Sequence, residues 1–371
     1  MAIENPHITD PGEYLLYLLK LHIDYAASDS YFTFNEEPSL RVNDEVYRLV
    51  GLDKFSDEML DAIAQQLMDE RDKELFEKNM SVDIGYVAHN RRFRINISQQ
   101  SGHRMIVFRL FAEKVPTLDD LKLSPVFKQL MQKTSGIIFI AGPTGSGKST
   151  TLAAMIEEIN MNKQKHIITL EDPIEYIFTP KKALIEQKQL GKDIASFSSA
   201  MKYALRQRPD VILFGEARDP DGIRNAIALA ETGHLVLTTI HSRSAAQTVN
   251  KIISMFPADE QSQIRNQISD TMAAIIVQKL AKRVGGGMVP VQEILLNNTA
   301  VENIIRENKL NQLNNTIYTN RAMGMQLLED HLLFLASKGF IDLNNAVNIA
   351  NDSDYLIKEL AAKGLIQNPQ G

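Results

Sequence analysis

Residues 136–149 read GIIFIAGPTGSGKS, an apolar run of strand length that breaks into a glycine loop and continues as the helical stretch KSTTLAAMIEEIN. Gly142, Pro143, Thr144, Gly145, Ser146, Gly147, Lys148 and Ser149 together complete the pattern G-x-x-x-x-G-K-[ST]. In such a loop glycines let backbone amides turn toward phosphate oxygens, and the helix N-terminus adds the positive end of its dipole. Lysine reaches the β and γ phosphates while the serine hydroxyl ligates Mg²⁺. The stretch therefore predicts an ATP site over residues 142–150, Thr150 included, with ATP and Mg²⁺ as cofactors.

Working outward, strand and helix alternate: HIITL, FSSAMKYALRQ, VILFG, DGIRNAIALAE, LVLTTI and SAAQTVNKIISMF follow in order. Strands separated by helical stretches of this length imply βαβ units and a parallel sheet covered on both faces. Upstream lies a different texture. One helix is expected within 14–25 and a second after Ser56 or Asp57, with short alternating strands through residue 110. The expected organisation is a small α+β domain over 1–112, a linker over 113–120 and an α/β P-loop domain over 121–371 with a helical tail.

A nucleotide bound to a parallel sheet lies beyond the carboxyl ends of its strands, so the strand ends are where partners are sought. HIITL ends in Glu171, VILFG in Glu216 and LVLTTI in His241. Any one acidic strand end is ordinarily a solvated group or a helix cap. Three beside a P-loop read as catalytic groups, with Glu216 covering metal, water or both. His234 and His241 flank one strand, and at ~3.3 Å per residue they stand roughly 23 Å apart, so only His241 faces the phosphates. The other six histidines, His7, His22, His89, His103, His166 and His331, are expected to be structural.

With 44% hydrophobic and 23% charged residues in 371, the chain has the balance of a soluble globular protein. A net charge of −6 and no lysine-rich tail argue against a nucleic-acid partner. Absence of cysteine excludes disulfides and any Cys-ligated zinc. No apolar run approaches the ~20 residues needed to span a bilayer, so a cytoplasmic location is expected, with any membrane association through partners.

The segments GPTGSGKSTTLAAM, ITLEDPIEY, RPDVILFGEARD and TGHLVLTTIHS, in that order, resemble the Walker A, Asp box, Walker B and His box of secretion-type ATPases, and type IV pilus retraction ATPases above all. The similarity extends to RFRIN and VFR in the first domain, to ASD at 27–29 and to GMQLLEDHL at 324–332. It implies a homohexameric ring of PAS-like and RecA-like domains that hydrolyses ATP to retract pili in twitching motility, working through an inner-membrane platform protein. It also implies that both histidines of the His box matter and that first-domain arginines act in trans across a subunit boundary. The matching segments favour Arg94 and Arg109 over Arg104. Extension motors carry a tetracysteine site and an extra N-terminal domain; with no cysteine in the sequence, neither feature is expected here. A C-terminal family octet, AIRNLIRE, is matched here by Ala300, Asn303, Ile305, Arg306 and Glu307 but departs at Val301, Glu302 and Ile304, so an accessory motor acting beside a paralogous retraction ATPase stays open.

Overall fold

A computed structural model describes residues 1, 3–42, 45–111 and 114–366. The chain forms two compact units, one of Met1–Lys114 with Pro173–Ile177, the other of Val115–Asp172 with Phe178–Gly371. Ala112 and Glu113, the expected end of the first domain and start of the linker, lie outside the described residues, as do 367–371.

The first unit runs α1 (Pro11–Asp24), β1 (Asp29–Thr33), β2 (Ser39–Val42), β3 (Glu45–Arg48), α2 (Asp57–Leu67), α3 (Glu70–Asn79), β4 (Ser81–Ala88), β5 (Arg91–Gln100) and β6 (His103–Leu110). Its strands join in one antiparallel sheet ordered β3-β2-β1-β6-β5-β4. Alternation decides its faces: Phe93, Ile95 and Ile97 of β5 are buried with Leu15, Leu18 and Leu19 of α1 and Leu60 and Ile63 of α2. Side-chain caps begin all three helices, Asp10, Ser56 and Asp69 each accepting from a first-turn amide.

The second unit runs α4 (Val126–Leu130), β7 (Gly136–Ala141), α5 (Lys148–Asn162), β8 (His166–Glu171), β9 (Leu184–Gln189), α6 (Phe197–Ala204), β10 (Val211–Glu216), α7 (Pro220–Glu231), β11 (Leu235–Ile240), α8 (Ala245–Ser254), α9 (Gln261–Thr271), β12 (Met272–Lys282) and β13 (Met288–Leu296). Among the described residues five further α-helices follow, α10 (Thr299–Arg306), α11 (Leu313–Thr319), α12 (Leu328–Ser337), α13 (Leu343–Ile349) and α14 (Ser353–Ala362). The sheet order is β13-β12-β7-β11-β10-β8-β9, parallel throughout except that β13 runs antiparallel to β12. β11 is buried along its whole length and β7 in all but its first residue, Gly136, as a doubly covered parallel sheet requires. Strands β9, β12 and β13 escape the sequence reading. LIEQKQ is a polar edge, and the run MAAIIVQKLAK follows a helix without a break in periodicity, so its length and pattern fit helix as well as strand.

Candidate active site

The parallel sheet puts the carboxyl ends of β7, β11 and β10 side by side. From β7 the chain enters the glycine loop. Gly142 at φ 150° leads it off, and a Cβ there would stand 2.3 Å from the Gln278 carbonyl oxygen. Gly147, at φ 80°, is the N-cap of α5 and supplies no side chain to satisfy the first-turn amides of that helix. Lys148 folds back, its Nζ donating to the carbonyls of Gly142 at 3.0 Å and Pro143 at 2.8 Å. Ser146 Oγ is buried without a hydrogen-bond partner. Ser149 and Thr150 follow on the first turn of α5. Glycine backbone at positive φ, uncapped amides and an ammonium at the loop mouth fit a nucleotide polyphosphate.

Beside the loop stands His241, one residue past the Ile240↔Ala141 pair, with Gly142 N donating to Ile240 O at 3.2 Å. Its Nε2 lies 3.3 Å from Glu216 Oε1. The pairing of β10 with β11 slips between Phe214 and Glu216, so Gly215 forms a bulge whose carbonyl accepts from Thr239 Oγ1 at 2.6 Å. That extra residue re-aims the carboxylate. It explains how Glu216, one place beyond the usual acidic position, still reaches His241. The second Glu216 oxygen accepts from Arg218 Nε at 2.8 Å, and this bond pushes the guanidinium further above its ordinary value. Sequence reasoning missed Arg218, although its i, i+2 spacing from Glu216 was visible.

Glu171 ends β8 within a different set, accepting from Thr169 Oγ1 at 2.7 Å and Gln187 Nε2 at 3.3 Å. His234 sits at the far end of β11, its carbonyl accepting from Gly136 N, at the start rather than the end of β7. Its Nδ1 lies 2.9 Å from Leu229 O and 3.1 Å from Thr232 Oγ1, which ties it to the C-terminal turn of α7. The two histidines of TGHLVLTTIHS thus stand at opposite ends of β11 with different partners.

The arginines divide by face within the first unit. Arg94 and Arg109 are direct cross-strand partners, and the same row continues through Asp29 to Arg41. Arg109 Nε bonds Asp29 at 2.8 Å and Arg94 Nη2 bonds Asp83 at 3.0 Å. Arg104 lies on the opposite face, ion-paired to Asp61 of α2 and stacked 4.7 Å over the Phe76 ring. These contacts engage its guanidinium within the first unit, as Asp83 and Asp29 engage those of Arg94 and Arg109. Of the other histidines, His22 is buried against Ser30, His103 pairs with Asp57, His166 with Glu186, and His331 with the Gln292 backbone.

The family model for Type II/IV secretion system proteins matches residues 77–337. The chain belongs to this family. It is 39% identical over 330 residues to the type IV pilus retraction ATPase PilT of Pseudomonas aeruginosa, covering 89% of this chain and 96% of the relative. A twitching motility protein of Neisseria gonorrhoeae is 40% identical over 321 residues, 86% of each chain. The type IV pilus ATPase PilU of Pseudomonas aeruginosa is 36% identical over 346 residues, 92% of this chain and 90% of the relative. Among solved structures, a pilus retraction motor PilT with bound ADP superposes with a TM-score of 0.85 at 37% identity, covering 93% of this chain and 99% of that one. The fold is the family's, a RecA-like α/β domain with a mainly parallel sheet, preceded by a small α+β PAS-like domain. Among the described residues, no helix is long and apolar enough to cross a membrane.

Proposed function

We propose that this chain is an ATP-hydrolysing motor of type IV pilus retraction, working as a homohexamer at the cytoplasmic face of the inner membrane through a platform protein. What carries the reading is the union of the Lys148 loop with the Glu216–His241 pair beside it, in a chain resembling a retraction motor over nearly its full length.

ATP binding replaces the Gly142 and Pro143 carbonyls with phosphate oxygens as partners of Lys148, and the uncapped amides of α5 take up the remaining oxygens. Ser149 would hold Mg²⁺ together with the phosphates, and the ion would supply Lewis-acid neutralisation of developing charge. Glu216 orients the attacking water and would also help to hold the ion; its oxygens face His241 and Arg218, each keeping a lone pair for that water. His241 then carries the state of the γ-phosphate into the chain leading to α8, whose Lys251 Nζ donates to the His241 carbonyl at 2.9 Å. Glu171 is a second water-positioning carboxylate. Arg94 and Arg109 stabilise the transition state from a neighbouring subunit after giving up Asp83 and Asp29.

The accessory reading is favoured by likeness to the PilU ATPase and by Glu302, which reverses a charge in the family octet and pairs with Arg306 at 3.5 Å. Deletion of the gene in the source cell, complemented with wild type or Lys148→Ala, tests both. Surplus pili that fail to retract, restored only by the wild type, support the main motor. A defect seen only under load or alongside loss of a second motor supports the accessory one. Normal pilus number and movement in every background would overturn both.

A further inference from the structure

Strand β12 runs beside β7 with Val277 opposite Ala141, so Gln278 is the first residue alongside the glycine loop itself. It is a carboxamide that ends the apolar run MAAIIV of β12, only 1% exposed. A polar group so placed is stable only with its hydrogen bonds made, and here they are. Nε2 donates to Ser146 O at 2.7 Å, and Oε1 accepts from Thr151 Oγ1 of α5 and from Gln292 Nε2 of β13, each at 2.8 Å. The Ser146 carbonyl can only accept, which settles that the amide end of the carboxamide faces the loop. The loop also closes on this residue from both sides: a Cβ at Gly142 would meet the Gln278 carbonyl, and one at Gly147 would meet its Nε2 at 3.1 Å.

A trans peptide points its C=O and N–H in opposite directions. Holding the Ser146 carbonyl toward β12 therefore turns the Gly147 N–H the other way, into the concavity of the loop. Glycine at φ 80° has no preference of its own strong enough to fix that plane. We infer that Gln278 is a positioning residue of the nucleotide site, setting the Ser146–Gly147 peptide so that one backbone donor is pre-aimed at a phosphate oxygen. Preorganised donors of this kind bind charge without reorganising when it arrives.

The brace continues into the C-terminal helices. Gln292 N donates to His331 Nδ1 at 3.0 Å and Gln292 O accepts from Gln326 Nε2 at 2.8 Å. Burial lowers His331 to about 4, which keeps its Nδ1 lone pair available for that bond. Gln326 and His331 both belong to the segment GMQLLEDHL, whose sequence otherwise shows no chemistry. Its polar residues thus anchor the orientation of a phosphate-loop amide through Gln292 and Gln278.

The inference rests on the nucleotide reading of the loop, and one set of measurements separates the two. Mg·ADP is titrated into full-length wild type, Gln278→Met and Thr151→Val, with thermal melts of each. Methionine keeps the length and removes the donor; valine removes a bond to the same carboxamide yet leaves the Ser146 contact. Gln278→Met is expected to weaken ADP about tenfold, the scale of one lost oriented donor, while Thr151→Val melts lower and binds within about twofold of wild type. Gln278→Asn, drawn back by one methylene, carries the same expectation should the methionine variant not fold. Tight binding by Gln278→Met, or equal weakening by Thr151→Val, overturns the positioning role and leaves the nucleotide reading intact. Wild type that fails to bind Mg·ADP overturns the nucleotide reading itself.

Discussion

Glu293 is a buried acid outside the nucleotide loop. It lies on β13 opposite Val277, 3% exposed, with Oε1 accepting from Ala245 N, the first amide of α8, at 2.6 Å. Burial pushes its carboxyl from the ordinary 4.5 up to about 7; Glu329 adds to the rise, while the Ala245 amide and Lys279 oppose it. Between those values the folded chain binds a proton that the unfolded chain has released, so stability falls as pH rises through this window and stays lowered above it. At about 1.36 kcal/mol per pH unit the cost at pH 8 reaches about 3 kcal/mol. Glu293→Gln keeps an oxygen for the Ala245 amide and removes the titration. A carboxylate is the better partner for a helix N-terminus, but by only about 0.3–1 kcal/mol, so relief of desolvation wins. The variant should be more stable than wild type by about 3 kcal/mol at pH 8 and indistinguishable near pH 4.5. Urea unfolding of both proteins across that range measures it, and a difference that does not change with pH would refute the reasoning.

Glu216→Gln should retain ADP and lose roughly 100-fold or more in kcat, because a carboxamide cannot take a proton, and Glu171→Gln should also bind and turn over slowly. Loss of ADP binding in either would remove that residue's proposed role. His241→Ala should cut turnover strongly in an intact ring. His234→Ala removes a bond to the end of α7 worth about 1 kcal/mol and should show in thermal melts and ring assembly, visible by sedimentation. Equal loss of kcat from both histidines would contradict their placement at opposite ends of β11. Rings mixed from Arg109→Ala and Lys148→Ala subunits should regain activity at those boundaries where a sound arginine meets a sound loop; no rescue in well-formed mixed rings would count against trans action.

How far this architecture could be read from the sequence depended on how local each cause is. The P-loop was legible because strand, glycines, lysine and helix are contiguous, and the placement of His241 at the loop end of β11 followed because residues along a strand advance by a fixed distance. The opposite faces of Arg104 and Arg109 followed from the odd spacing between them, but Asp61 and Phe76, which hold Arg104 in place, are distant in sequence. Glu216 was legible as a carboxylate and illegible as a geometry, since the bulge at Gly215 that turns it toward His241 is a property of two paired strands. β12 was hidden more deeply, its apolar run continuing from α9 in a pattern that either element could bury. Yet one signal was present. Gln278 interrupts MAAIIVQKLAK with a side chain that cannot enter a core unless several partners wait for it. Those partners come from the glycine loop, from α5 and from a strand 14 residues on. A lone carboxamide in an apolar run close to a phosphate loop is therefore a reason to look for a group that it holds in position, as a charged residue in a cleft is a reason to look for chemistry.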